Sequence, residues 1–147
     1  MIYRATIEDL DRLMDWRMRV IAEVFEGESF PDGLFEANKA YYERHLADGT
    51  HVACFAERDG DVVGCGGLCL QQEMPSPENP SGRCGYIMNI YVDPAHRTHG
   101  LGHEIVRWLI REAHVRGVSK IYLETTVQGK GLYESLGFKD MTGYMRL

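Results

Sequence analysis

The amino-acid sequence predicts a mixed α/β (α+β) fold, with a central, mostly antiparallel sheet of about six to seven strands flanked by about four helices. Three observations carry that prediction. Strand-like and helix-like runs follow the order β-α-α-β-β-β-α-β-α-β, which combines hairpins with crossovers in one chain. Asp59-Gly60 separates two strand-like runs, a strong signal for a two-residue hairpin. With 147 residues, 44% of them hydrophobic, the chain is long enough to bury a core as one domain, residues 1–147, without metal or disulfide staples.

Each element has its own local reason. Residues 2–5 read as a short strand. Thr6 is an N-cap with Asp9 three residues on, and Leu10, Leu13, Met14, Arg17 and Ile21 follow at helical spacing. The stretch 26–33 breaks that helix. A second helix runs from about Leu34 to Leu46, and Asp48-Gly49 ends it. Residues 51–58 and 61–70 are the hairpin strands. The stretch 71–82 holds three of the five prolines and is expected to be an exposed loop. Residues 84–92 form a third long strand. A helix from Gly100 to about Arg116 follows, carrying Leu101, Ile105, Leu109 and Ala113 on one stripe and Arg107, Arg111 and Glu112 on the other side. Then come a strand over 120–126, a short helix over 129–138 ended by Gly137, and a final strand over 143–147.

Composition narrows the function. A net charge of −6 argues against a nucleic-acid partner, because phosphate backbones are held by basic faces. No apolar stretch approaches the roughly 20 residues that span a bilayer, and the N-terminus turns polar at once. A cytoplasmic location with reduced thiols is therefore expected, with no membrane partner. Cys65 and Cys69 lie about 13 Å apart along one strand face, too far to share a metal ion. No CxxC pair exists, and the four cysteines read as buried, inert thiols. His96, His99 and His103 have a suggestive spacing but no obvious carboxylate or thiol beside them, so they read as solvated and no metal is expected.

The chemistry concentrates at Arg97-Thr98-His99-Gly100-Leu101-Gly102-His103, where a basic turn opens the 100–116 helix. A helix N-terminus offers unpaired N–H groups and a partial positive charge, so it is a ready anion site. Glycine at 100 and 102 keeps side chains away from those amides, and Arg97 adds a cation. A P-loop would need Gly-Lys-Ser/Thr, but His103 follows Gly102. A dinucleotide fingerprint would need a third glycine where Ile105 stands.

The pattern that remains, Arg97-x-x-Gly100-x-Gly102, resembles the acetyl-CoA diphosphate motif of the GNAT superfamily of N-acetyltransferases. A second match is "GLYESLGF", residues 131–138, which is similar to that family's Leu-Tyr-Glu-x-x-Gly-Phe segment. The element order matches as well, so the resemblance covers almost the whole chain and implies a GNAT-like sheet. It also implies acetyl-CoA as cosubstrate and a primary amine of a small molecule or peptide as acceptor, attacked directly.

By position, the resemblance assigns a bulged strand whose Ile90, Tyr91 and Val92 amides meet the acetyl and pantetheine groups, with Ile90 N–H nearest the acetyl oxygen. It assigns the amides of residues 97–103 to the diphosphate and Tyr133 to protonation of the leaving thiolate. Two positions depart from the family pattern. Thr126 stands where many relatives carry asparagine, and Tyr86 stands where some carry a catalytic glutamate. The base is left open among Glu124, Glu26, Glu28 and Tyr86 acting through a water. The acceptor is expected between the loops 26–33 and 71–82, the first of them acidic. An acyl-CoA-binding regulatory module without turnover is the alternative reading, and a homodimer paired along the short terminal strand is one option left open.

Overall fold

A computed structural model describes residues 1–147. Five strands form one sheet in the order β1-β2-β3-β4-β5: β1 (Ile2–Arg4), β2 (His51–Arg58), β3 (Asp61–Gln72), β4 (Arg83–Val92) and β5 (Lys120–Leu123). The first three pairings are antiparallel and β4–β5 is parallel, which requires a crossover helix between those two strands. Four α-helices flank the sheet: α1 (Leu10–Val24), α2 (Leu34–Ala47), α3 (Leu101–Val115) and α4 (Val127–Ser135). Thr6 and Asp9 close a capping box just ahead of α1, as their spacing predicts.

The sheet has five strands, not six to seven. The expected terminal strand over 143–147 does not form. Gly143 takes φ +84°, a left-handed conformation that interrupts an extended run. The segment stays close to β5 all the same, with the Lys120 ammonium 5.6 Å from the centre of the Tyr144 ring. The loop 71–82 is exposed as expected, except at Asn79 and Gly82. β3 extends through Gln72, and Asn79 is buried, its amide accepting from Ser119 Oγ at 3.2 Å and donating to the Arg83 carbonyl at 3.3 Å.

Both sheet faces are covered, and strand alternation sorts the core. On one face Val52, Cys54, Leu68 and Ile87 meet Leu101, Ile105, Leu109 and Ala113, the α3 stripe read from the sequence. On the other, Ala53, Phe55 and Cys65 meet Leu13, Met14, Trp16 and Val20 of α1 and Tyr42 of α2. Burial pushes the Cys54 thiol well up and the Cys65 thiol up to about 12, so both stay protonated and inert. No helix is long and apolar enough to cross a membrane.

Candidate active site

The site grows from an irregularity in β4. Its register with β3 runs regularly up to Gly67↔Met88 and resumes at Cys65↔Tyr91, leaving one extra residue on β4. Asn89 absorbs it with φ +58°. This is a β-bulge of the kind that re-aims backbone groups. On the other side, pairing with β5 ends at Ile87↔Leu123. From Met88 to Val92, β4 has β3 on one edge and no strand on the other. The expected bulge is present, and the Ile90 side chain packs toward α3.

The opened edge leads into the turn before α3. Asp93 caps a short 3-10 turn, Pro94–His96, by accepting from Ala95 N at 3.0 Å. Thr98 follows at φ +68° and Gly100 at φ +78°. The amides of Thr98 through His103 donate to no backbone or side-chain acceptor in the chain, so six N–H groups stay available. Gly102 has a second duty that the sequence did not reveal. A Cβ there would lie 2.7 Å from Leu132 Cδ1, so its bareness lets α4 pack on the first turn of α3. The His103 ring joins the same contact, 2.7 Å from Ser135 Oγ.

Arg97, expected as a fixed cation next to the turn, is held there by partners of its own. Its guanidinium donates to both Glu23 carboxylate oxygens at 2.9 Å and to the Val92 carbonyl at 2.8 Å, and it lies over the Tyr91 ring. The arginine ties the turn to α1 and β4, and Glu23 offsets its charge. Thr126 likewise serves α4, its hydroxyl accepting from Gly129 N at 3.2 Å as an N-cap.

Tyr133 stands on α4 with its ring edge-on to Phe138 at 5.9 Å. Burial, then the nearby Tyr86, pushes its phenol above the usual range, so the proton is held at neutral pH. Tyr86 packs against Tyr122 at 5.1 Å, and burial followed by the adjacent Glu124 charge raises its phenol too. Tyr86 is thus near both Glu124 and Tyr133. Glu26 and Glu28 stand exposed in the α1–α2 loop. No three His, Cys, Asp or Glu side chains are grouped to hold a metal ion.

Sequence reading missed a second cluster on the α1–α2 side of the bulge. Arg17, Asn38, Tyr41, Tyr42, His51, Met88 and Asn89 line a cavity of about 210 Å³ together with Ala37. His51 Nδ1 lies 2.9 Å from the Tyr41 hydroxyl, while its buried Nε2 has no partner. Burial lowers the His51 pKa to about 4. A folded-state value below the unfolded value of about 6.5 means the unfolded chain takes the proton first as pH falls. The contribution of His51 to stability is therefore expected to be full above about pH 6.5 and to decline toward pH 4. Urea unfolding across that window should show the parent losing about 3 kcal/mol more than His51→Asn. Parallel profiles for the two proteins would place the acid sensitivity elsewhere.

The comparisons with known proteins agree with this geometry. The sequence model of the acetyltransferase (GNAT) family matches residues 10–138. Glucosamine 6-phosphate N-acetyltransferase 1 of Oryza sativa subsp. japonica is 30% identical over 115 residues, spanning 76% of this chain and 68% of that protein. IAA acetyltransferase of Azospirillum brasilense is 32% identical over 137 residues, 91% of this chain and 74% of that protein. A crystal structure described as a predicted acetyltransferase with acetyl-CoA, from Clostridium acetobutylicum, superposes with a TM-score of 0.90. It is 26% identical and covers 100% of this chain and 94% of its own. The chain belongs to the GNAT acetyltransferase family. It is an N-acetyltransferase, and acetyl-CoA is its cosubstrate.

Proposed function

We propose that the chain transfers the acetyl group of acetyl-CoA to a primary amine of a small molecule or peptide by direct attack. The observation that carries this reading is the edge of β4 left open after Ile87↔Leu123, which runs straight into the free amides of residues 98–103. An extended thioester arm suits the open edge, and a diphosphate suits the cluster of amides at the helix start. Acetyl-CoA supplies the acyl group and a thiolate leaving group.

The chain's own groups do the rest. The Ile90 N–H, next to the bulge, donates to the carbonyl oxygen as charge grows on it, with Tyr91 and Val92 amides along the arm. Tyr133, held protonated, gives its hydroxyl proton to the departing sulfur. Among the candidate bases, Glu124 has the best support as a route for the amine's proton, because it lies beside Tyr86, which in turn is near Tyr133. Most of the rate gain comes from holding the two reactants together, so no covalent enzyme intermediate is invoked.

Relatives named for glucosamine 6-phosphate and for IAA support small acceptors. The test is a free-thiol release assay with acetyl-CoA over amino acids, amino sugars, amino-sugar phosphates, polyamines and peptides, with mass spectrometry of the products. An amine gaining one acetyl group together with stoichiometric thiol is the expected result. Thiol release without an acetylated amine, or acetyl found on the protein at a rate matching turnover, would refute direct transfer.

A further inference from the structure

We propose that Arg17 is a specificity-determining residue that seats an anionic group, a carboxylate or phosphate, carried by the amine acceptor. The inference rests on the acetyl-transfer reading above and deepens it by naming the acceptor's class.

The guanidinium of Arg17 is half-buried at the wall of the 210 Å³ cavity. Its Nε donates to Asn38 Oδ1 at 2.9 Å and its Nη1 to Asn89 Oδ1 at 3.0 Å. Both acceptors are neutral amide oxygens. No carboxylate lies within ion-pair distance. Every other arginine or lysine that is not exposed has one: Arg58 with Glu104, Arg116 with Glu112, and Lys120 with Glu73. Taking a cation partly out of water without a counter-charge is costly, so a protein rarely leaves one so placed without a use. Two of its five N–H groups are engaged, which leaves a planar donor set of the kind that grips carboxylate or phosphate.

The mount is rigid on both sides. Asn38 is fixed by donating to the Leu34 carbonyl at 2.8 Å, and Asn89 is fixed by the bulge itself. Asn89 also joins the two halves of the site, since its side chain holds Arg17 while its backbone precedes the Ile90 amide. An anion at Arg17 therefore keeps an attached amine close to the opened edge of β4. The cavity is smaller than the roughly 300 Å³ at which drug-sized pockets begin, so it takes a charged head group and not a length of peptide.

The experiment compares kcat/KM for matched amines, with and without the negative charge, in the parent, Arg17→Gln and Arg17→Lys. One arm uses amino acids against their amides. The other uses glucosamine 6-phosphate against glucosamine. In whichever arm supplies the acceptor, the anionic member should be preferred. Arg17→Gln should lower that preference about ten- to hundredfold, the range for a hydrogen bond to a charged group. Arg17→Lys, which keeps the charge but loses the planar fork, should recover part of it. Far-ultraviolet circular dichroism and titration with CoA establish that each variant is folded. The inference is overturned if the parent acetylates charged and uncharged amines alike, or if Arg17→Gln leaves the preference intact. Either result would leave the transfer reaction standing. If no amine is acetylated while CoA still binds, the transfer reading fails, and titration of the same anionic amines with the parent and Arg17→Gln decides this one alone.

Discussion

Tyr133→Phe is expected to lower kcat about a hundredfold or more, with KM for acetyl-CoA unchanged. The substitution removes one oxygen and keeps the ring that packs edge-on to Phe138, so the fold has no reason to respond. On the proposed mechanism, what is lost is a proton at the departing sulfur. Burial raises the phenol above its ordinary value, so in the parent that proton is present throughout the neutral range. Steady-state kinetics with a fixed amine check the prediction. The loss should appear in kcat and kcat/KM equally, because the hydroxyl acts only as the carbon–sulfur bond breaks. A variant as fast as its parent would remove the hydroxyl from the mechanism and leave the fold and the acetyl-CoA site untouched.

Phe55→Ala should cost about 3–5 kcal/mol of stability, measured by urea denaturation. Phe55 lies on β2 with no exposed surface, at the centre of the face covered by α1 and α2. Its ring is 5.9 Å from Tyr3, and the Arg12 guanidinium lies over it. Removing the ring strips contacts from both sheet and helix and leaves a cavity that rigid neighbours fill only in part. Domains of this size are stable by about 5–15 kcal/mol, so the loss would take a large share of the folding free energy. Phe55→Leu, which retains most of the volume, should be far milder. Equal losses for the two would mean that ring geometry, not volume, governs the site.

Much of the architecture was legible because it is written in short-range patterns. Leu101, Ile105, Leu109 and Ala113 recur at helical spacing and all lie in the core. Asp59-Gly60 turns β2 into β3 with both residues at positive φ, the geometry its composition favours. The free amides before α3 follow from local chemistry as well. What the sequence did not show is mostly long-range. Arg97 turns to Glu23, 74 positions away, and no local pattern announces that partner. Asn79 is drawn into the interior by Ser119 and Arg83. The run 143–147 has strand composition, yet one glycine takes a left-handed turn in it.

Arg17 is the instructive case. It stands on the helical stripe between Met14 and Ile21, where a charge is out of place. That discord was the visible signal. It reads as an irregularity of the stripe until the structure shows two asparagines holding the guanidinium beside a cavity. Local rules tend to break at functional sites, and a charged residue on an apolar stripe is a case in point.

The approach of Leu132 to Gly102 and the His103–Ser135 hydrogen bond join the start of α3 to the C-terminal half of α4. On the proposed mechanism, the amides that take the diphosphate and the phenol that supplies the proton flank this one junction. A change that loosened it would then be felt at both ends of the bound thioester.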